Sequence, residues 1–217
     1  MDLGGLIRSI DWNFLENTAM RLFAVLLSLT VHEACHGLAA CALGDPTARE
    51  RRRLSLNPLR HIDWLGLAML LTAGFGWARP VPVDPRYFKK PRRGMALTAL
   101  AGPASNFALA FVEIAAARAA AGPAASGAGP AYELYIFLLY HAAPLSIALG
   151  LFNLLPIPPL DGAKVLGAFL PERTYFGLMR YERYGMLLLL ALSWLGFTGN
   201  LLNRAVWGIW TGFTALL

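Results

Sequence analysis

The residues of this chain best suited to chemistry stand at 32–36, where the sequence reads His-Glu-Ala-Cys-His. Two residues four positions apart share one face of a helix, so His32 and His36 can direct their imidazole nitrogens at a single metal ion. Glu33 lies about 100° around the same helix, within reach of a water molecule on that metal. Zinc lowers the pKa of such a water toward about 7, and a carboxylate can then remove its proton. The pattern predicts a hydrolytic zinc centre.

A catalytic zinc site needs a third protein ligand, and Asp161 is the strongest candidate in the sequence. It follows the proline-rich end of an apolar segment, in Pro-Pro-Leu-Asp-Gly. The predicted topology brings it to the same membrane depth as His32 and His36. An ordinary helix N-cap is the alternative interpretation of this aspartate. Three further residues could reach a metal, but a structural or solvated role is favoured for each: His61, His141 and Cys35.

The elements that must position these residues are apolar segments long enough to cross a bilayer, which takes about 20 residues. Four segments qualify, at about 17–43, 94–120, 132–155 and 184–202. The apolar stretch 205–217 is too short to span comfortably. The sequence therefore predicts an all-α polytopic membrane protein, a bundle of about four to six transmembrane helices.

One part of the chain between the first two spans is expected to differ from the bundle. Residues 65–77 are apolar but too few to span, which predicts a re-entrant or interfacial segment. The alternating prolines of 78–85 then forbid helix and leave an extended segment near the active site. We expect a single membrane-embedded domain over 1–217, with the core motifs in 29–170 and the C-terminal helices in 184–217.

The charge pattern predicts orientation and excludes one class of partner. The chain is 57% apolar and 15% charged, with a net charge of +6. Its basic residues cluster beside the apolar segments, as they do in cytoplasmic loops. Loops 44–93 and 156–183 are therefore predicted to be cytoplasmic, with the active site on that side of the cell membrane. The basic residues are not interleaved with aromatic ones, which argues against a nucleic-acid partner.

Three motifs together resemble the site-2 protease family of intramembrane metalloproteases, the M50 type. They are the motif at 32–37, the Gly-Pro-Ala-Ser-Asn run at 102–106, and 153–162, which reads N-x-x-P-x-P-x-L-D-G. The stretch 76–83 is also similar to the family's. No PDZ domain is visible in the sequence, so the chain resembles the minimal form of the family.

The resemblance implies both an activity and a set of site residues. It implies one zinc ion per chain, held by His32, His36 and Asp161, with Glu33 as the general base that activates the zinc-bound water. It also implies that the substrates are membrane proteins cut within or near their transmembrane segments. Two asparagines are predicted to lie near the scissile peptide: Asn153 as a donor to the oxyanion, and Asn106 as a further polar group. An interhelical hydrogen bond is the alternative for each asparagine.

Two other functions use the same three ligands. A membrane metal transporter would treat them as a transit site, but such proteins tend to carry internal repeats, which this sequence does not show. A non-catalytic scaffold would retain zinc for structure and would have a closed site with four protein ligands. The lipid bilayer is a partner in every case, and the oligomeric state is not predicted.

Overall fold

The computed structural model describes residues 11–73, 76–180, 184–185, 187–189, 191 and 197–217. Regular structure in these residues is helical apart from one isolated antiparallel bridge, between Ile62 and Ala78. The helices in chain order are α1 Trp12–Ala42, α2 Thr47–Glu50, α3 Trp64–Ala73, α4 Pro91–Ala121, α5 Pro130–Asn153, α6 Asp161–Gly167, α7 Glu172–Arg180 and α8 Phe197–Leu216. Short 3-10 turns occupy Pro58–Arg60, Pro85–Tyr87 and Pro123–Ser126.

Three of these helices, α1, α4 and α5, are long and apolar enough to cross a membrane. They correspond to the first three predicted spans, and they confirm the predicted all-α polytopic class. Helix α1 begins at Trp12 rather than near residue 17, because Asp11 caps it by accepting a hydrogen bond from the Phe14 N–H. Helix α5 contains a π-helical stretch over Phe137–Ala142.

The C-terminal region differs from its prediction. The predicted span 184–202 lies partly outside the described residues. The stretch 205–217 is not a separate short segment, because it belongs to the 20-residue helix α8. This helix packs mainly against α5, and Val206 joins a buried cluster with Ile114 and Ile147. Apolar residues on one helical face account for the continuity.

In the stretch between α1 and α4, the short helix α3 is followed by an extended segment. Helix α3, Trp64–Ala73, covers most of the apolar stretch 65–77 predicted to be re-entrant, and residues 74 and 75 of that stretch lie outside the described residues. Its depth in a membrane remains a prediction. The Arg79 N–H then donates to the His61 carbonyl beside the isolated bridge. Residues 79–84, which we call the proline segment, run extended past α1. The two prolines, Pro80 and Pro82, carry no N–H and prevent helix there.

Helix α4 is the central element of the bundle, since it contacts α1, α5 and α6. Small residues on its buried faces allow this close packing, among them Ala99, Gly102 and Ala110. Because α1 carries the His-Glu-x-x-His motif and α6 begins at Asp161, the packing of α4 against both helices decides whether the two motifs meet.

Candidate metal centre

Three side chains from distant parts of the chain converge inside the bundle. His32 Nε2 lies 3.1 Å from Asp161 Oδ2, and His36 Nε2 lies 3.0 Å from the same oxygen. The two Nε2 atoms are 2.9 Å apart. All three residues are buried, and among the described residues they form the one cluster of His, Cys, Asp and Glu with ligand atoms this close. We call them the metal triad.

The two histidines reach the cluster through the helical repeat alone. They lie four residues apart on α1, and their rings stack edge to face with centroids 4.5 Å apart. His36 Nδ1 lies 2.7 Å from the Thr98 carbonyl oxygen on α4. A carbonyl can only accept, so His36 Nδ1 must carry a proton, and in the neutral ring His36 Nε2 then points a lone pair into the cluster.

Asp161 reaches the cluster because α5 ends at Asn153 and the chain turns back before α6. The turn at 154–160 contains three prolines, Pro156, Pro158 and Pro159, and the Pro158–Pro159 peptide is cis. A side chain at Gly162 would collide with the Leu154 carbonyl, so the close return of α6 requires glycine there. Leu160, not Asp161, occupies the N-cap position, and the Asp161 carboxylate bonds to the triad histidines instead. The N-cap interpretation of Asp161 is therefore not realised.

Charge around Asp161 favours its ionised form. Burial raises the pKa of the carboxyl, but the close contacts of the carboxylate with the His32 and His36 rings outweigh burial and hold it far below its usual range. Lys164, one turn along α6, adds to this effect with its Nζ 3.3 Å from Asp161 Oδ1. An ionised carboxylate is the form that ligates a metal.

Backbone of α4 comes unusually close to the histidine rings at Gly102. A Cβ built on this glycine would lie 2.5 Å from His36 Cε1 and Nε2, and 2.6 Å from His32 Cε1. No side chain fits at that distance. Gly102 therefore allows α4 to pack directly against the metal triad, which gives a physical reason for a glycine at the start of the 102–106 motif.

Glu33 stands beside the triad but does not belong to it. Its carboxylate Oε2 accepts a hydrogen bond of 2.8 Å from the Val81 N–H of the proline segment. The side chain is only half-buried. The extended segment predicted to lie near the active site thus contacts the predicted general base directly.

The two predicted asparagines lie in different surroundings. Asn106 is fully buried, and its Nδ2 lies 3.0 Å from His32 Nδ1, so it contacts the back of a triad histidine. Asn153 Nδ2 donates to the Leu149 carbonyl of its own helix at 3.0 Å. No contact in the described part of the chain joins Asn153 to the triad. Its role at the oxyanion stays a prediction.

The weaker ligand candidates lie outside the cluster. His61 Nε2 lies 2.8 Å from the Ser55 carbonyl oxygen in the loop before α3. Cys35 and Cys41 are unpaired. Sequence reasoning did not identify the residues that orient the triad from behind, Thr98 and Lys164. A backbone carbonyl such as that of Thr98 has no sequence signal, whereas Lys164 could have been found by its i,i+3 spacing from Asp161.

Comparison with known proteins adds an independent observation. A protein of Bacillus subtilis named "Putative zinc metalloprotease YwhC" is 37% identical over 178 residues, which cover 79% of this chain and 78% of that protein. The chain belongs to peptidase family M50. The model of Peptidase family M50 itself matches residues 125–195, a range that contains Asp161 but not the two histidines. Membership of M50 confirms the resemblance drawn from the motifs.

Other M50 relatives are larger than this chain. "Putative zinc metalloprotease Rip2" of Mycobacterium tuberculosis is 33% identical over 192 residues, covering 85% of this chain and 68% of that protein. "Putative zinc metalloprotease Rip3" of the same species is 34% identical over 217 residues, covering 97% of this chain but only 47% of that protein. No solved structure matches the chain. Together with the three candidate spans, M50 membership makes this a membrane protein of a metalloprotease family.

Proposed function

We propose that this protein is an intramembrane zinc metalloprotease that hydrolyses peptide bonds within or near the transmembrane segments of membrane-protein substrates. One observation carries the proposal. The two imidazoles and one carboxylate of the metal triad converge between helices long enough to span a bilayer, with the Glu33 carboxylate beside them. Intramembrane ionisable groups are costly, and they are usually functional.

The metal triad fits zinc in its chemistry and its spacing. In a tetrahedral site with bonds of about 2.0–2.1 Å, neighbouring ligand atoms lie roughly 3.3 Å apart. The corresponding distances here are 2.9 to 3.1 Å, so a small expansion would accommodate the ion. His36 Nε2 lies 3.0 Å from Asp161 Oδ2, and with a neutral His36 ring both atoms present lone pairs, which a metal cation placed between them would share. Three protein ligands leave a fourth position open, as catalysis requires and a structural site does not.

The groups behind the ligands fit the same ion. Thr98 holds His36 in the tautomer that ligates through Nε2. For His32 to do the same, its Nδ1 must donate, and a half-turn of the Asn106 amide, which exchanges its oxygen and nitrogen, would turn the oxygen to the ring. Asn106 is thereby a positioning residue for His32, in addition to its predicted nearness to the substrate.

The chemistry divides between the ion and the protein. A zinc ion bound by His32, His36 and Asp161 would supply Lewis acidity, polarising the scissile carbonyl and acidifying water. Glu33 would take the proton from the attacking water and pass it to the leaving amine. The Val81 N–H holds one carboxylate oxygen of Glu33 and leaves the other free for that proton. Asn153 would donate to the oxyanion once its side chain rotates away from Leu149.

The substrate must unwind before it can be cut, because a helix hides its carbonyls. The proline segment offers an extended backbone to which an unwound substrate could add as a strand. Pro80 and Pro82 lack donors, so pairing there would use substrate N–H groups and carbonyls of the segment. A cavity of about 390 Å³ lies next to the residues that precede this segment, Trp77 and Ala78, and is lined mostly by apolar side chains that include Leu29, Leu149 and Phe152. It would accept apolar side chains of the substrate.

Orientation and location are part of the same proposal. The excess of basic residues in loops 44–93 and 156–183 supports an active site on the cytoplasmic side of the cell membrane. The partners are then the bilayer and a transmembrane substrate, with one zinc ion per chain and no nucleic acid.

The test is cleavage of tagged single-span substrates by purified protein in vesicles. Glu33→Gln should lower the rate about 10²- to 10⁴-fold while zinc content stays at one per chain. Glu50→Gln, which removes an exposed acid of α2, is the matched control and should cleave normally. A chelator should abolish cleavage, and added zinc should restore it. The mass of the products locates the cut relative to the membrane.

Two results would count against the proposal. If Glu33→Gln cuts as fast as the unmodified protein, Glu33 is not the general base. If zinc is bound but no substrate from a broad panel is cut, the protein is a zinc-binding scaffold rather than a protease.

A further inference from the structure

Asp45, which follows the C-terminal end of α1, carries a carboxylate that lies outside the metal triad and has no part in the proposed reaction. Asp45 is fully buried. The end of α1 places it there: Gly44 adopts a left-handed φ of +106°, the Gly44 N–H donates to the Cys41 carbonyl, and the Asp45 N–H donates to the Ala40 carbonyl. This is a Schellman motif, which turns the chain sharply after the helix. Asp45 is therefore held rigidly on the helix that carries the histidines.

Both oxygens of the Asp45 carboxylate are used. Oδ1 accepts from the N–H and the hydroxyl of Thr47, which begins α2. Oδ2 accepts a 2.7 Å hydrogen bond from the Asp84 N–H. The second bond is the informative one, because Asp84 ends the proline segment, 39 residues away in the chain. The Asp84 side chain is not involved, since its carboxylate pairs with Arg86.

Two carboxylates anchored by α1 thus hold the same extended segment. Glu33 accepts from the Val81 N–H and Asp45 accepts from the Asp84 N–H. Pro82, between these two anchors, has no N–H to offer. The Val81 side chain is buried and packs toward Gly37 of α1, where a Cβ would lie 3.3 Å from Val81 Cγ1. The segment therefore lies along α1 in one register.

The other end of the segment is held through its carbonyls. Arg53 Nη2 donates to the Arg79 carbonyl at 2.7 Å and to the Pro80 carbonyl at 3.3 Å. Arg53 is partly exposed and sits on a long flexible side chain, whereas Asp45 is short, buried and fixed by the helix end. Of these two attachments, to Arg53 and to Asp45, the hydrogen bond that Asp45 accepts from the Asp84 N–H is the one able to set the register of Val81 against Glu33.

We propose that Asp45 is a positioning residue: by holding the Asp84 N–H it fixes the proline segment in the register in which the Val81 N–H orients the Glu33 carboxylate. This inference rests on the proposed function of Glu33. It adds that the proline segment, which is offered to the substrate, and Glu33, the proposed base, are held in a fixed position relative to each other by the end of α1. The alternative is a purely structural role, in which Asp45 only stabilises the start of α2 through its bonds with Thr47.

The first test does not depend on catalysis. Hydrogen exchange is measured on the full-length protein in detergent, with and without Asp45→Ala. Within 79–84 only Arg79, Val81, Val83 and Asp84 carry an amide proton, which makes the segment easy to resolve. Exchange at Val81 and Asp84 should rise about ten-fold or more, since each amide is bonded to a charged acceptor. Unchanged exchange at Val81 would overturn the proposal, whether or not the protein cleaves anything.

The second test is a double-mutant cycle on the cleavage rate. Val81→Pro removes the N–H that reaches Glu33 together with the buried valine side chain, in a segment that is already proline-rich. Val81→Ala is its control, because it also loses most of the valine side chain but keeps the N–H. Asp45→Ala and Val81→Pro should each lower kcat about ten-fold to a hundred-fold with zinc content unchanged. If Asp45 acts through Val81, the double variant should be no slower than the slower single variant. Independent, multiplying losses would overturn the proposal.

A third variant separates positioning from capping. Thr47→Val removes the hydroxyl that bonds Asp45 Oδ1 but leaves the bond to Asp84, so it should cleave within about two-fold of normal. If Thr47→Val reproduces the loss seen with Asp45→Ala, the residue is a cap of α2 and the proposal fails. Should Asp45→Ala not fold, Asp45→Asn serves in its place, with a smaller effect in the same direction because one oxygen remains.

Discussion

The bundle contains two buried polar layers that look alike by burial but differ in chemistry. The inner one is the metal triad with Asn106 behind it. The outer one lies a helical turn away, about 6 Å along α1, where Ser28 and Ser146 share a 2.8 Å hydrogen bond between fully buried hydroxyls. Glu113 of α4 is also buried in that layer, beside Ser146.

The difference lies in what each layer does with its lone pairs. A serine hydroxyl both donates and accepts, so Ser28 and Ser146 satisfy each other. In the triad, backbone and side-chain partners hold the rings so that lone pairs face one another. Such an arrangement is suited to binding a cation, whereas the serine pair only joins α1 to α5. Burial of polar groups alone therefore does not distinguish a reactive site from a structural contact, but convergence of electron-pair donors does.

Among the substitutions that test this difference between the two layers, Gly102→Ala is expected to have the largest effect. A Cβ would lie 2.5 Å from the His36 ring, so α4 or the histidines must shift by more than an ångström. We expect cleavage to fall by about 10²-fold or more and zinc content to drop. Gly208→Ala is the matched control, since a Cβ there meets nothing within 4 Å. Metal analysis and the cleavage assay check both. Full zinc occupancy and normal cleavage in Gly102→Ala would show that the close packing of α4 is not needed.

A smaller and more selective effect is expected from the two asparagines. Asn106→Ala removes the partner of His32 Nδ1 and should weaken zinc binding about 10- to 100-fold, measured by competition with a chelating dye. Asn153→Ala should leave zinc affinity unchanged, because its carboxamide bonds within α5. It should nevertheless slow cleavage if Asn153 serves the oxyanion. Normal cleavage by Asn153→Ala would remove that role, and equal zinc loss in both variants would contradict the placement of Asn153 away from the triad.

The features predictable from sequence were those set by local periodicity. The i,i+4 spacing puts His32 and His36 on one face wherever a helix forms, and long apolar runs predict three of the spans directly. Asp161 required topology as well, since its meeting with α1 depends on two spans that run in the same direction. The continuity of α8 could not be predicted, because the polar residues Asn203 and Arg204 interrupt the apolar sequence; in the structure both are exposed and the helix continues through them.

The contacts that could not be predicted from the sequence all involve the packing of separate segments, which no helical periodicity in the sequence relates to each other. The Val81 bond to Glu33 and the Asp84 bond to Asp45 are made by backbone N–H groups of an irregular segment. Any non-proline residue supplies such a donor, so residue type carries no signal. The role of Gly102 was hidden for a similar reason: the motif shows a glycine, but only the packed helices show which ring it approaches.

The smallest effect should come from the outer layer. Ser146→Ala removes one hydroxyl of the serine pair and should lower the free energy of unfolding by about 0.6 kcal/mol, the average for interhelical hydrogen bonds in membranes. Ser28→Ala should do the same, and the double variant should cost less than the sum, because each single change already breaks the one bond that joins them. Unfolding in bicelles measures these differences, and zinc affinity should stay unchanged in all three proteins. If Ser28→Ala instead weakened zinc binding as much as Asn106→Ala does, the two layers would be coupled through the turn of α1 between Ser28 and His32, and the distinction between a structural and a reactive layer would no longer hold.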